Sequence, residues 1–281
     1  MVFDWESHRK HREQVQKDHG VWVGLLDENG VPICDFPPME KLTAPATRMN
    51  PESCEGVFLT SAHGVVHQVV DELVADGLGV TDKEGRLVPS NGATRFMAVE
   101  CPGIRRRVYQ VRFVKASGGE DSPSRLAVHG TDMLTSLMFL PCWSIPGQVS
   151  AEFTRAVGDF GKQFSRPRYL AKLKMAAVAD GFTVDGPAES TIRDLIKDSL
   201  AATYKAFGIS DWPVQVSTRS SGKPSPRVLI RPTDQSIWDE ISGPAAMSGC
   251  VVVAFMWLPG DKMPQGLSLS QPTIVVEVIQ Q

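Results

Sequence analysis

The spacing of apolar and polar positions predicts that the chain opens with a helix and a β-hairpin. Residues 4–18 form a mostly polar stretch that predicts a short helix ending near Gly20. Two apolar runs follow, at 21–26 and 31–34, on either side of the turn residues 27–30. Apolar runs that flank an Asn-Gly turn are typical of a hairpin.

Further strand patterns lie on both sides of a region with helical periodicity. Residues 150–207 are predicted to be helical, with candidate helices at 168–179 and 189–207, the second followed by Gly208. The strands before this region are predicted at 41–49, 56–60, 95–100, 104–114 and 125–129, with a helix at 61–75. The strands after it are predicted at 214–218, 228–231, 250–258 and 273–279, with a helix after Thr233 that Gly243-Pro244 interrupts.

This order of elements predicts an α+β fold. Strands, then a helical insertion, then strands differ from the alternating pattern of a parallel βαβ sheet. The predicted organisation is an N-terminal helical arm (1–20), a first β-rich domain (21–148), a helical insertion (149–210) and a second β-rich α+β domain (211–281).

Composition narrows the function classes. The chain has 281 residues, 42% of them hydrophobic, which is enough for a packed core. Its 29 basic and 32 acidic residues give a net charge of −3, which does not favour binding to nucleic acid or to anionic membranes. The charged N-terminal stretch predicts no signal peptide, and no apolar run is long enough to predict a membrane-spanning helix.

The five cysteines indicate a reducing environment. They are Cys34, Cys54, Cys101, Cys142 and Cys250, an odd number with long spacings and no C-x-x-C. This pattern favours neither a disulfide framework nor a cysteine-based zinc site. We therefore expect free thiols and assembly in a cytoplasm.

Three possible metal ligands recur at every fourth position of the predicted helix at 61–75. His63, His67 and Asp71 would lie on one face of that helix, a spacing that can hold a metal ion. Gly64 stands where a zinc-protease motif has its glutamate, so H-E-x-x-H is absent. The neighbouring valines already define a buried face, so the three side chains are interpreted as a solvated face. The sequence predicts no metal or other cofactor, with this trio as the alternative.

Arg105, Arg106 and Arg107 form the sharpest charge run. On a strand, Arg105 and Arg107 would point one way and Arg106 the other. The run fits an anionic partner, such as a carboxylate-lined subunit interface. It also fits an edge strand that its charge protects from aggregation, and this interpretation is favoured. The three arginines remain candidates for an interface.

Three tryptophans have different predicted roles. Trp143 and Trp212 lie near prolines at predicted domain junctions, and aromatic residues are enriched at interfaces. Both are interface candidates, with packing between domains as the alternative. Trp257 follows the most apolar strand pattern and is predicted to lie in the core.

Three groups of residues together resemble one protein family. The first is the hairpin at 21–33 with its D-E-N-G turn. The second is the strand at 105–111 followed by R-L-A-V-H-G-T-D-M-L at 125–134. The third is 230–239 with W-L-P-G-D at 257–261 and P-T-I-V-V-E-V at 272–278. Together they resemble minor tail proteins of long-tailed (siphovirus-type) actinobacterial phages, the tail-tip or baseplate hub family.

The resemblance implies a structural role without catalysis. It implies β-barrel-like hub domains built into a trimeric ring that closes the tail tube, contacts the tape-measure protein and supports host attachment and genome ejection. The implied partners are a distal tail ring protein, the tape-measure protein and other minor tail proteins, with DNA only in passage. The implied location is the tail tip of the virion, after assembly in the host cytoplasm.

Other functions remain open from the sequence. A metal-dependent hydrolase would use His63, His67 and Asp71. A distal-tail ring protein would sit next to the hub rather than form it. A binding module without a viral role would behave as a soluble monomer.

Overall fold

Two units make up the fold. The computed structural model describes residues 3–46, 49–62, 65–74, 81, 83–86, 93–119, 123–159, 161–176 and 183–281. Unit 1 comprises Met1–Thr135, Ala254–Met263 and Ser268–Ile274, and unit 2 comprises Ser136–Val253, Pro264–Leu267 and Val275–Gln281. The predicted N-terminal arm therefore belongs to unit 1, and both units share the predicted C-terminal domain.

Unit 1 is built mainly from antiparallel strands. Its helices are α1 (Trp5–His19) and α2 (Val69–Leu73). Its strands are β1 (Trp22–Leu26), β2 (Pro32–Asp35), β3 (Met39–Thr43), β4 (Ser53–Leu59), β5 (Ser61–Ala62), β6 (Val65–Val66), β7 (Phe96–Glu100), β8 (Arg107–Gly118) and β9 (Pro123–Asp132).

Unit 2 combines two longer helices with short strands and one long hairpin. Its helices are α3 (Ala188–Phe207) and α4 (Ile237–Ser248). Its strands are β10 (Ser150–Asp159), β11 (Lys162–Lys174), β12 (Val184–Pro187), β13 (Val214–Val216) and β14 (Arg227–Ile230). Two last strands, β15 (Cys250–Trp257) and β16 (Thr273–Gln280), contribute residues to both units.

The core of unit 1 covers both faces of a seven-stranded sheet. The strands run in the order β2-β1-β7-β8-β9-β4-β3, and every neighbouring pair is antiparallel. Strand β1 is buried along its whole length. Trp22 and Leu26 face one apolar cluster, and Val23 and Leu25 face the other. An uninterrupted apolar run is what a strand covered on both faces requires.

The fold class is α+β, as predicted, with antiparallel strands. Among the described strands, the order in unit 1 runs from β2 to β3 without a closing pair. The barrel-like character implied by the family resemblance therefore stays a prediction.

Helix α1 has the ends that its sequence predicts. Asp4 accepts a hydrogen bond at 3.0 Å from the backbone N–H of Ser7, which satisfies one of the free donors of the first turn. Gly20 ends the helix in the left-handed conformation, with φ of 79°. Trp5 and Val15 attach the helix to the apolar cluster around Trp22.

The predicted helical insertion is wrong over its first half. Residues 150–159 and 162–174 pair as the strands of the β10–β11 hairpin, with ten residues on one strand and thirteen on the other. The candidate helix at 168–179 overlaps β11, and residues 177–179 lie outside the described residues. The Ala, Leu and Lys residues of this stretch favour a helix locally, but backbone pairing with β10 outweighs that propensity.

The second half of the insertion is helical as predicted. In α3, Ile192, Leu195, Ile196, Ser199 and Thr203 are buried along one stripe, and Gly208 ends the helix with φ of 66°. Helix α4 continues through Pro244, so the predicted interruption at Gly243-Pro244 is also wrong. Trp257 is buried, as predicted.

The turn of the first hairpin depends on Gly30, which makes a prediction possible. Asp27 Oδ1 accepts hydrogen bonds from the backbone N–H groups of Asn29 (2.9 Å) and Val31 (2.8 Å), and Gly30 has φ of 77°. A Cβ at Gly30 would lie 2.6 Å from Pro272 Cβ. We expect Gly30→Ala to lower the free energy of unfolding by about 2 kcal/mol in urea denaturation, since backbone strain and crowding add.

Gly103 supplies the matched control for this prediction. Its φ of 73° is nearly the same, but a Cβ there would meet no heavy atom within 4 Å. Gly103→Ala should therefore cost only the backbone strain, about 1 kcal/mol. Equal losses in the two variants would contradict the crowding at Pro272.

Candidate interaction surfaces

Arg106 lies inside unit 1 in an ion-pair cluster. Its guanidinium contacts the carboxylates of Glu100, at 3.4 Å, and Asp261. Arg12 of α1 reaches the same Glu100 carboxylate at 3.4 Å, and its guanidinium lies 5.5 Å from the centre of the Trp22 ring. Arg12 and Arg106 are both buried, so the cluster brings two buried cations together with two partly exposed carboxylates.

The charges in this cluster shift the neighbouring titrating groups. Burial and then the charge of Arg106 lower the pKa of Arg12. Burial and then the charge of Arg12 lower the pKa of His8 to about 4, so this imidazole is neutral at pH 7. The positive charges of Arg12 and Arg106 are therefore balanced by carboxylates of the same unit.

The three arginines of the run have three different environments. Arg106 is buried in the ion-pair cluster. Arg107 donates a hydrogen bond to the backbone carbonyl of Ala44, and Arg105 is exposed with its guanidinium 4.1 Å from the centre of the Phe255 ring. The edge-strand interpretation is wrong, because β8 lies between β7 and β9. Of the three interface candidates, Arg105 alone is exposed.

The proposed metal ligands do not form a helical face in the described residues. The predicted helix at 61–75 is reduced to α2, because residues 61–62 and 65–66 pair as the short strands β5 and β6. His63 lies outside the described residues. His67 precedes α2, and its Nδ1 accepts a hydrogen bond at 3.2 Å from the backbone N–H of Val69. Asp71 lies in α2 and is exposed.

The rest of the described part of the chain offers no metal site of this kind either. No group of three or more His, Cys, Asp or Glu side chains there is placed to hold a metal ion. Burial raises the pKa of three thiols above the ordinary value, to about 11 for Cys34 and to about 12 for Cys54 and Cys142. These thiols are therefore protonated and poor nucleophiles at neutral pH.

The two tryptophan candidates lie against α3 within unit 2. Trp143 is buried, and its indole N–H donates a hydrogen bond at 2.9 Å to Thr203 Oγ1. Trp212 is partly buried, with its ring 5.0 Å from the ring of Tyr204. Packing inside the unit thus buries most of the surface of the Trp143 side chain, while part of the Trp212 surface stays exposed.

Sequence reasoning missed a group of exposed apolar side chains on the β10–β11 hairpin, here called the ribbon. Neither strand of the ribbon pairs with a third strand among those described. Phe153, Tyr169, Leu170 and Leu173 are all more than two-fifths exposed, and Tyr169 reaches 74%. The ribbon contacts the rest of unit 2 through Phe153, whose ring lies 5.4 Å from that of Phe207 at the end of α3, and through Ala151, which packs against the cluster around Trp143.

The register of the ribbon separates its two faces. Phe153 lies opposite Ala171, and Arg155 lies opposite Tyr169, so these four residues share one face. The other face carries Glu152 opposite Lys172, Ser150 opposite Lys174 and Ala156 opposite Arg168. One face therefore combines aromatic rings with a single arginine. The other combines three basic residues with Glu152 and the exposed Leu170, which lies opposite Thr154.

A cavity of about 320 Å³ opens elsewhere in unit 2 and has the opposite charge. Its apolar wall includes Trp143 and Leu195, and Asp194 and Asp198 line it one helical turn apart on α3. Asp185 also lines it and pairs with Arg227. Burial and then the charge of Asp194 raise the pKa of Asp198, so a cation placed beside these carboxylates would be stabilised.

Unit 1 has its own cavity of about 410 Å³ beside α1. Its wall is mostly apolar and includes Phe36, Phe58 and the ring of Trp22. The one carboxylate in the wall, Asp35, already accepts hydrogen bonds from His11 Nε2 (2.6 Å) and from the Trp22 indole N–H (2.8 Å). This cavity therefore suits an apolar group rather than a reacting one.

Comparison with known proteins adds no assignment. No family model matches the chain, and no curated protein matches it either. Within the described residues, no helix combines the length and the apolar character needed to cross a membrane.

Proposed function

We propose that this chain is a structural subunit of a phage tail tip, in the hub ring that closes the tail tube. In this role it contacts the tape-measure protein and supports host attachment and genome ejection. Supporting the proposal are the family resemblance of the hairpin, the strand pair at 105–134 and the C-terminal strands. In the structure the first two groups lie in or beside β1, β2, β8 and β9. The third group covers the end of β14, the start of α4, the turn after β15 and most of β16.

The observation that carries the proposal is the ribbon. Two paired strands with exposed aromatic residues and two open edges are rarely stable in water without a covering surface. Exposed apolar patches of this kind are typical of proteins that assemble with others. In an assembly, a neighbouring subunit provides such a covering surface for the ribbon. A monomeric enzyme or binding module does not require an exposed apolar ribbon.

The proposal is tested on phage particles from a lysate that contains this protein. Purified particles are labelled with gold-tagged antibodies against the chain, and their proteins are identified by mass spectrometry. We expect label at the distal end of the tail and peptides of this chain at low copy number. Intact, accessible particles with no label and no peptides of this chain would contradict the proposal.

The position of the label also separates the tail tip from the rest of the tail. Label that coincides with the end of the tube fits a hub or a ring beside it. Label along the whole tail would indicate a tube protein and would reject the tail-tip role.

A further inference from the structure

The ribbon is a basic segment of an acidic chain. Residues 150–174 hold six Lys and Arg against two Asp and Glu, a formal charge of +4. The other 256 residues hold 23 against 30, a charge of −7. The overall charge of a second copy of this chain therefore does not repel the ribbon.

The cavity on α3 matches the aromatic face of the ribbon in chemistry. The ribbon face presents Arg155 beside Tyr169, with Phe153 next to them. The cavity presents Asp194 and Asp198 beside Trp143, with Pro146 and Pro232 also in its wall. The ribbon face has a cation between aromatic rings, and the cavity has carboxylates beside an apolar wall. The two surfaces are therefore complementary in both charge and polarity.

The ribbon and the cavity occupy different parts of α3. Phe207, which the ribbon contacts, is nine residues after Asp198 and thirteen after Asp194, roughly 14 and 20 Å along a helix. A contact between two different surfaces of identical chains is heterologous, and repeating it gives a closed ring or an open helical array.

We propose that the ribbon is a docking arm that places Arg155 and Tyr169 in the acidic cavity of a second copy of this chain. Asp194 and Asp198 of that copy receive the guanidinium, and the apolar wall of the cavity covers Tyr169. The inference rests on the proposed function, because it names the contact by which the ring subunits join. It assigns the ribbon and the cavity as the two halves of one interface.

The test is sedimentation velocity of the purified full-length chain, with charge reversals on each half. We expect Arg155→Glu and Asp198→Arg each to weaken self-association by at least about tenfold, since each places like charges together. The double variant Arg155→Glu/Asp198→Arg should regain most of the lost association. The replaced side chains are exposed, so circular dichroism should show an unchanged fold.

Lys172→Glu is the matched control within the ribbon. It makes the same change of charge on the opposite face, so we expect less than about a threefold effect. An equal loss in Lys172→Glu and Arg155→Glu would overturn the inference, because general charge attraction would then explain the association. A wild-type chain that stays monomeric, or a double variant that is not rescued, would overturn it as well.

The outcome is distinguishable from that of the proposed function. Sedimentation uses the purified chain alone, whereas the functional test locates the chain in phage particles. Label at the tail tip with unchanged association of Arg155→Glu would reject the docking arm only. Reciprocal rescue of association without any label in particles would reject the tail-tip role only.

Discussion

Arg106→Met is expected to lower the free energy of unfolding by about 3 kcal/mol, because it leaves Asp261 without its arginine partner and Glu100 with Arg12 alone. Glu100 and Asp261 both contact the Arg106 guanidinium, and Arg12 reaches only Glu100 directly. Methionine fills a similar volume, so the loss reports the uncompensated charge rather than a cavity. Urea denaturation followed by circular dichroism measures the change.

Two neighbouring substitutions control for charge and position. Arg105→Met removes an exposed arginine whose guanidinium lies over the Phe255 ring, so it should cost less than about 1 kcal/mol. Arg106→Lys keeps the charge but cannot contact two carboxylates with one planar fork, so its loss should be intermediate. If Arg106→Met and Arg105→Met have the same small effect, the cluster does not stabilise unit 1.

The elements with local signals could be predicted from the sequence. Asp4 and Gly20 mark the ends of α1, and the Asp27–Gly30 turn marks the first hairpin. The buried stripe of α3, followed by Gly208, marks the long helix of unit 2. In each case the stabilising contacts lie within a few residues of one another, where spacing along the chain reflects spacing in the structure.

The elements that depend on distant pairing could not be predicted in this way. Arg106 finds Asp261 at a separation of 155 residues, and no pattern around the arginine run reveals that partner. Interpreting the run as an edge strand failed because two further strands, β7 and β9, enclose β8. The side chains around Phe153 were assigned to a helix because their composition hides the alternation that pairing with β11 uses.

The candidate surfaces show the same limit. Asp194 and Asp198 are one turn apart, so the sequence could have indicated a paired carboxylate on α3. Trp143 joins them from another part of the chain, and only the fold places it in the same cavity. The charge difference between residues 150–174 and the rest of the chain was readable from the sequence. This charge difference can be related to an interaction surface only once those residues are known to form an exposed ribbon.

Glu189 is the most heavily bonded carboxylate described in unit 2. It is buried at the start of α3 and accepts hydrogen bonds from Ser221 Oγ (2.6 Å), the backbone N–H of Gln280 (2.8 Å) and Arg193 Nη2 (2.7 Å). Burial by itself raises its pKa, but the hydrogen bonds from Ser220, Ser221, Gln280 and Arg193 outweigh burial and lower the pKa to about 2. One carboxylate thus joins α3, the loop after β13 and strand β16.

Glu189→Gln is expected to lower the free energy of unfolding at pH 7 by about 3–5 kcal/mol. The amide has nearly the same shape, but it carries no charge and turns an N–H₂ group toward donors. Asp194→Asn, an exposed change on the same helix, should cost less than about 0.5 kcal/mol. Urea denaturation of the three proteins measures both effects, and similar losses in the two variants would contradict the role of Glu189.

The same residue gives the pH dependence a definite sign. The pKa of Glu189 is about 2 in the folded chain against a reference value of 4.5, so the folded state favours the ionised form. Its contribution is fully present above pH 4.5 and is lost as the pH falls from 4.5 through about 2. The stability difference between the wild type and Glu189→Gln should therefore shrink over that window. A difference that stays constant from pH 7 to pH 2.5 would mean that the charge of Glu189 contributes nothing and that the amide variant acts through shape alone.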